Sequence, residues 1–578
     1  MLVSGILLIR KAILISPPTN NRYVDIPLIA RAREQGDRTA IISTEGVFTY
    51  QQLLDTSEQF AKSILEDVDD LKEQRVAFLI PSGFQYTATQ WGIWRAGGVA
   101  VPLCVSHPVP ELEYAIADSG ATIAIAHPIF ETILRPIAEA RGLRFILTTE
   151  MFNCLEGALP ELNVPHASST PLATTGGTPA TQWLLKSGNP PTRLAPEEAP
   201  AARSCELNID EVNAAPGGSL RENVDRRAMI LYTSGTTSKP KGVVTTHKNI
   251  QAQVTSLISA WEWTAEDQIL HVLPLHHIHG IINVLTCALW AGAKCEILEK
   301  FNAQAVWTRI ITGKLTLFMA VPTIYAKLIT AWETAPCEQQ KAMSDACAQL
   351  RLMVSGSAAL PVQVLEKWKT ISGHVLLERY GMTEIGMALS NPLHGQRLPG
   401  HVGTPLPNIE VRLVDELGLV EPETPGEIQV KGPGVFLEYW RKPEATTKAF
   451  DDGWFRTGDI AVVEDGSYRI LGRSSVDIIK TGGYKVSALE IEEVLRSHLD
   501  IQDCAVVGVA DSEWGERVCA ALVPIEGKSL TLASLRSWAK ERLAVYKIPT
   551  EIILLNDLPR NAMGKVIKPR VVELFSLK

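Results

Sequence analysis

The chain has 578 residues, 46% of them apolar and 21% charged, with 41 Gly and 35 Pro. This composition excludes fibrous, collagen-like and wholly disordered chains, and the length corresponds to about two to four domain-sized units. Fifty-five Lys and Arg against 64 Asp and Glu leave a net charge of −9, so no overall basic footprint points to nucleic acid or an anionic membrane.

Residues 1–22 open on an apolar stretch interrupted by Arg10 and Lys11, which reads as a targeting or disordered segment. The nine cysteines include no C-x-x-C pair, and that favours a reducing compartment over a disulfide scaffold. A soluble intracellular protein is expected, with the mitochondrial matrix ahead of the cytoplasm.

From residue 23 to 150 helical and strand-like segments alternate: helical spacing over 50–65 and 88–96, short apolar runs over 75–80 and 121–126. Such alternation predicts βα units around a largely parallel sheet. Residues 167–226 break it with clusters of Thr, Ala, Pro and Gly, and read as an exposed insertion. The pattern returns with a strand at 228–232. The apolar stretch 272–293 is broken by His276, His277, His279 and Asn283; it reads as core, since a spanning helix needs about 18 uninterrupted apolar residues. Between 403 and 470 short β runs separated by Gly and Pro turns predict a small β subdomain. After Arg473 a unit of about 105 residues has its own βαβ pattern, with a capping box at Ser487 and Glu490. The expected organisation is therefore α/β: a large domain over 23–472 that binds nucleotide and acid, built of two α/β subdomains and a small β subdomain. A small mobile α+β lid follows over 473–578.

The loop after the 228–232 strand is the most informative segment. Thr233, Ser234, Gly235, Thr236, Thr237, Ser238, Lys239 and Lys241 crowd hydroxyls, backbone amides and two cations into one turn, a composition suited to wrapping a polyphosphate. It is not a Walker A loop, because Pro240 stands where the second Gly belongs. Further motifs follow in order: Tyr380-Gly381-Met382-Thr383-Glu384, Trp454-Phe455-Arg456-Thr457-Gly458-Asp459, Gly472-Arg473, Gly482-Gly483-Tyr484-Lys485, and Pro559-Arg560-Asn561-Ala562-Met563-Gly564-Lys565.

Together these motifs resemble the ATP-dependent adenylate-forming superfamily of acyl-CoA synthetases, peptide-synthetase adenylation domains and luciferases. The resemblance implies an acid-thiol ligase that uses ATP, CoA and Mg²⁺ and passes through an acyl-adenylate. It further implies that Lys565 bridges acyl carboxylate and α-phosphate, that Thr383 touches the α-phosphate and that Glu384 holds Mg²⁺. Asp459 and Arg473 would take the ribose, Tyr380 would stack on adenine, and Ser357 would join the nucleotide site. Gly482, Gly483 and Lys480 would serve CoA after the lid turns about a hinge at Ser475, where many relatives carry Lys or Asp.

Arg379 occupies the position that lines the acyl pocket in this superfamily. A guanidinium in an otherwise apolar pocket is costly unless paired, and a second carboxylate on the substrate is the partner that fits; the bland alternative is an Arg turned outward to Glu378. Three histidines within residues 276–279 have no cysteine close in sequence, and read as a pocket wall, with His277 or His279 donating to the distal carboxylate, rather than as a zinc site. Residues 353–360, 377–384 and 475–490 are similar to the malonyl-CoA synthetase branch, which implies malonate, and beside it methylmalonate, as the acid. The rivals are a medium- or long-chain fatty acyl-CoA synthetase, a peptide-synthetase adenylation domain and a non-catalytic nucleotide-binding relative. Small molecules are the expected partners, with no nucleic acid, no transmembrane segment and no obligate protein partner.

Overall fold

The structure is a computed structural model that describes residues 26–152, 224–233, 240–421, 423–560 and 564–576. The expected N-terminal segment, nearly all of the 167–226 insertion, and Ser234, Gly235, Thr236, Thr237 and Lys239 of the phosphate loop lie outside the described residues.

Two large sheets form the body. In the first, the strands Leu377–Met382, Leu352–Ser355, Leu317–Ala320, Gln268–His271, Lys294–Ile297 and Thr39–Ser43 lie side by side, each parallel to its neighbour. Antiparallel strands finish both edges. Central strands such as Leu317–Ala320 and Leu352–Ser355 are buried at every position, as expected of parallel strands covered on both faces. The second sheet sets Arg227–Thr233, Val99–Pro102, Arg75–Leu79, Ile123–Ala126 and Arg144–Leu147 in parallel order. Its last parallel strand turns back antiparallel as Lys241–Thr246.

The helix expected over 50–65 is Tyr50–Leu65, opened by a reciprocal cap between Thr49 and Gln52. It packs against Phe84–Arg95, which begins four residues before the apolar spacing at Ala88 suggested. A β-carbon at Gly92 would lie 2.7 Å from the Phe60 ring, so a glycine is what lets these two helices close. The apolar stretch 272–293 is core: it winds as a π-helix, His279–Thr286, and continues as the α-helix Cys287–Ala291. Among the described residues no helix is long and apolar enough to cross a membrane.

A small antiparallel sheet built on Glu410–Asp415, Gly426–Lys431, Trp454–Glu464 and Ser467–Arg473 follows. The last unit is a separate sheet with its own buried cluster around Ile479, Ile491, Val506 and Leu522. The capping box expected at Ser487 is half formed. Ser487 Oγ accepts from the Glu490 amide at 3.1 Å, but the Glu490 carboxylate turns away to Lys547 Nζ, 2.5 Å distant, because an ammonium outcompetes a backbone amide for it.

Burial of histidine in this body has a consequence for acid stability. His247 and His271 are both buried, and desolvation pushes their imidazoles from 6.5 down to about 3 and about 4. The unfolded chain binds those protons near pH 6.5 and the folded chain does not. Their contribution is therefore complete above pH 6.5 and falls on acidification until the folded values are reached, by about 1.4 kcal/mol per pH unit for each group. Urea unfolding midpoints measured from pH 7 to pH 4.5 should fall steeply, and the loss should be smaller in a His247→Gln variant.

Candidate active site

In open sheets of parallel strands ligands bind beyond the carboxyl ends of the strands, and the predicted residues gather there. The strand Gln268–His271 leads into the loop bearing His276 and His277. Leu352–Ser355 leads into Gly356 and Ser357, and Leu377–Met382 carries Arg379 and Tyr380.

Arg379 is 3% exposed, and its Nε and Nη2 have no protein partner. It does not turn outward to Glu378. Successive side chains on a strand face opposite ways, and Glu378 is itself buried, with one oxygen accepting from the Leu360 amide at 2.9 Å. Desolvation pushes Glu378 up to about 8 and Arg379 down to about 9. The guanidinium is packed over Gly356, where a β-carbon would come 2.4 Å from Arg379 Cζ.

Beside it His279, the first residue of the π-helix, shares a 3.1 Å hydrogen bond between Nδ1 and Ser357 Oγ. Its Nε2 is buried without a partner. Burial first, and then the charge of Arg379, hold this imidazole well below its usual value, so it is neutral and offers one donor or acceptor. Ser357 adopts φ +69°, a left-handed conformation uncommon outside glycine and a recurrent mark of functional strain.

Two polar residues join this wall that motif reading did not single out as site residues. Asn283, fully buried and one turn after His279, leaves both side-chain atoms unpartnered, and so does Ser355 Oγ at the strand end. Buried polar groups are ordinarily satisfied. The visible signal in the sequence was Asn283 itself, an amide inside an apolar run. His277 is half-buried with its ring 4.0 Å from that of His276, and desolvation draws it down to about 4.

A glycine-to-alanine change at 356 tests the packing of Arg379 without touching any polar atom. The added methyl must displace the guanidinium, and a shift of about 1 Å at a site of this kind can cost about 10²-fold. Gly356→Ala is expected to lower kcat/KM for a short diacid by about that factor while circular dichroism and melting temperature stay near wild type.

The nucleotide-site candidates meet at Asp459. Its Oδ2 accepts from Tyr380 Oη at 2.6 Å and its Oδ1 from Arg473 Nε at 2.9 Å. Burial lowers Arg473, but the pairing with Asp459 prevails and raises it above its ordinary value. Glu384 is 6% exposed, and one of its oxygens accepts from Tyr439 Oη at 2.9 Å. Burial raises its carboxyl, and Lys241 Nζ stands 4.7 Å over the Tyr439 ring. A carboxylate is a hard oxygen donor that suits Mg²⁺, which takes one or two carboxylates and completes its shell with phosphates and water. Thr383 precedes Glu384 and is half-buried. Thr233 pairs with Lys241 in the antiparallel strands on either side of the phosphate-loop sequence, and Tyr114 Oη donates to the Pro240 carbonyl at 2.8 Å.

The lid meets the body close to the acid site. A β-carbon at Gly564 would lie 3.6 Å from Thr323 Oγ1, so Lys565, exposed on its turn, sits beside the first turn of the helix Pro322–Glu333. The turn is braced by Arg560 Nη1, which donates to the Gly564 carbonyl at 2.7 Å. The expected CoA residues are not brought together there. Gly482 and Gly483, at φ +54° and +83°, form the tip of the hairpin between Ile478–Thr481 and Tyr484–Ser487; a side chain on Gly483 would meet nothing within 4 Å. Lys480 instead lines a cleft with Thr457, Gly458, Arg473, Ser474 and Ser475. Ser475 is exposed on the turn joining lid to body. Two residues on, Asp477 is tied to Lys568 Nζ at 2.6 Å, and Lys568 also reaches Glu492 at 2.8 Å.

Residues 28–440 match the family described as AMP-binding enzyme, and residues 490–565 match the AMP-binding enzyme C-terminal domain. The chain belongs to the AMP-binding enzyme family. Within this family it is 44% identical to the mitochondrial malonate–CoA ligase of Mus musculus, across 96% of this chain and 92% of that protein. It is 38% identical to the malonate–CoA ligase of Arabidopsis thaliana, across 93% and 86%. Among solved structures, ATP-bound MatB from Rhodopseudomonas palustris superposes with a TM-score of 0.78 at 29% identity, covering 95% of this chain and 98% of that one. The fold is that of adenylate-forming enzymes, and the chain is an AMP-forming acid–CoA ligase.

Proposed function

We propose that the chain is an ATP-dependent malonate–CoA ligase. The observation that carries this reading is the buried guanidinium of Arg379, unpartnered at Nε and Nη2 beside the unpartnered Nε2 of His279. Carrying an unpaired charge into the interior costs several kcal/mol, and an anionic ligand at that spot recovers it through charge-assisted hydrogen bonds. A fatty acid offers no such group at its distal end; a short dicarboxylate does.

In the reaction one carboxylate of malonate attacks the α-phosphorus of ATP. The new P–O bond forms as the bond to pyrophosphate breaks, giving malonyl-adenylate. The CoA thiolate then attacks the acyl carbonyl and AMP departs with the electron pair of the cleaved C–O bond. Both partners in the first step are anions, so positioning and cationic stabilisation supply most of the rate. Arg379 and His279 hold the distal carboxylate, with Asn283 and Ser355 completing the polar wall. Lys565, from the lid, neutralises charge between the attacking carboxylate and the α-phosphate, which Thr383 also contacts. Asp459 and Arg473 orient the ribose against Tyr380, and Ser357 and residues 233–241 hold the phosphates. Glu384 would hold Mg²⁺, which would supply charge neutralisation to the phosphates when bound.

For the second step the lid turns about Ser475, withdrawing Lys565 and bringing the Gly482–Gly483 tip and Lys480 toward the thiol. The position of Gly564 at Thr323, with the Gly-Gly tip in solvent, agrees with the adenylate-forming arrangement. The 473–578 lid thus acts as a unit separate from the 23–472 body. The mitochondrial naming of the mouse relative supports a matrix location. Pyrophosphate release should be highest with malonate, followed by methylmalonate, and low with octanoate; octanoate outperforming malonate would refute this reading.

A further inference from the structure

Apart from the groups assigned to the reaction, the structure assembles a further cluster of metal-ligating side chains. The loop after the strand Val99–Pro102, in the second sheet, carries Cys104 and His107 in a C-x-x-H spacing. The loop after Gln268–His271, in the first sheet, carries His276. One ligand atom from each of these three residues lies within 4.8 Å of the other two. The sequence offered no cysteine near His276; one arrives from 172 positions away by the approach of the two sheets. We propose that Cys104, His107 and His276 form a binding site for a borderline-soft divalent transition ion of the zinc type.

The donor set selects the ion. One thiolate and two imidazoles suit Zn²⁺ and exclude Mg²⁺ and Ca²⁺, which take oxygen. Ligand atoms on tetrahedral zinc stand about 3.5 Å apart, so closure requires movements of about an ångström, which side-chain rotation supplies. Cys104 is buried, and its sulfur lies 3.2 Å from Ser106 Oγ. His107 Nδ1 is 3.3 Å from Glu111 Oε2, which leaves Nε2 for the ion and supplies the carboxylate that commonly orients a metal-bound imidazole. His276 is half-buried on the loop after Gln268–His271, with a ring nitrogen within reach of the other two ligand atoms. The rings of His107 and His276 meet edge to face, with centroids 5.8 Å apart and planes at 61°.

Three protein ligands leave a fourth position for water. The ion ties the two sheets together at the loop that leads into the acid site. It fixes His276 and, through the 4.0 Å ring contact, His277 at the entrance to the π-helix.

The test uses full-length protein without a polyhistidine tag, stripped with a chelator and then equilibrated with Zn²⁺ or Co²⁺ alone. Wild type should retain one equivalent of zinc through gel filtration, melt at a higher temperature with zinc than without, and show a thiolate-to-metal charge-transfer band with cobalt. Cys104→Ser should lose the band and the retained zinc, and Glu111→Gln should bind about 10- to 100-fold more weakly. His276→Gln, at a half-buried position, should also lose the retained zinc and decides the matter if Cys104→Ser does not fold. Wild type that holds no zinc and gives no cobalt band would overturn the proposal, as would either ligand variant binding zinc as tightly as wild type.

Discussion

Replacing Arg379 by alanine is expected to lower kcat/KM for malonate by about 30-fold to several thousand-fold. Truncating one member of a desolvated charge pair costs about 2–5 kcal/mol, and each 1.4 kcal/mol is a factor of ten. The loss should appear mainly in KM, because the distal carboxylate is held equally in the ground state and in the transition state. Two accompanying results separate this from general damage. Activity toward a monocarboxylic acid such as butyrate should hold or rise, since the pocket loses a charge that such an acid leaves unpaired. The melting temperature without substrate should hold or rise too, because the variant removes a buried and incompletely partnered guanidinium whose burial opposes folding. Arg379→Lys should recover only part of the malonate activity, since an ammonium lacks the two-pronged geometry that matches a carboxylate.

The second large effect concerns the lid. Lys565→Ala is expected to slow malonyl-adenylate formation by about 10²- to 10³-fold, the loss typical of removing one preorganised group that stabilises developing charge. Thioester formation from pre-made malonyl-adenylate and CoA should remain near wild type, because by then Lys565 has left the site. ATP–pyrophosphate exchange measures the first step, and malonyl-CoA formation from the synthetic adenylate measures the second. An equal loss in both would mean that Lys565 supports the fold of the lid rather than the first reaction.

Much of this was legible in the sequence because the signals were local. Amphipathic spacing placed the helix Tyr50–Leu65 at its observed bounds, and the short apolar runs at 75–80 and 121–126 marked the strands Arg75–Leu79 and Ile123–Ala126. The ordered motifs singled out Thr383, Glu384, Asp459, Arg473 and Lys565 as candidates, and the residue before Tyr380 drew notice because a charge stood where an apolar wall was expected. What stayed hidden depends on contacts between distant segments. Gly356 carries no chemistry of its own, and its role emerges only when the Arg379 guanidinium is seen lying over it. Cys104 and His107 meet His276 only because two sheets converge. The reciprocal half of the cap at Ser487 failed for the same reason: Lys547, 57 residues onward, takes the Glu490 carboxylate.

Recognition of the acid rests on the second carboxylate of the substrate, and one comparison isolates it. Malonate and its monomethyl ester share the reacting carboxylate and nearly the same size, and differ in the charge that meets Arg379. Their kcat/KM values in the pyrophosphate-release assay should differ by about 30-fold or more in favour of malonate, with the difference collapsing in Arg379→Ala. Equal values for the two acids in the wild-type enzyme would contradict the account.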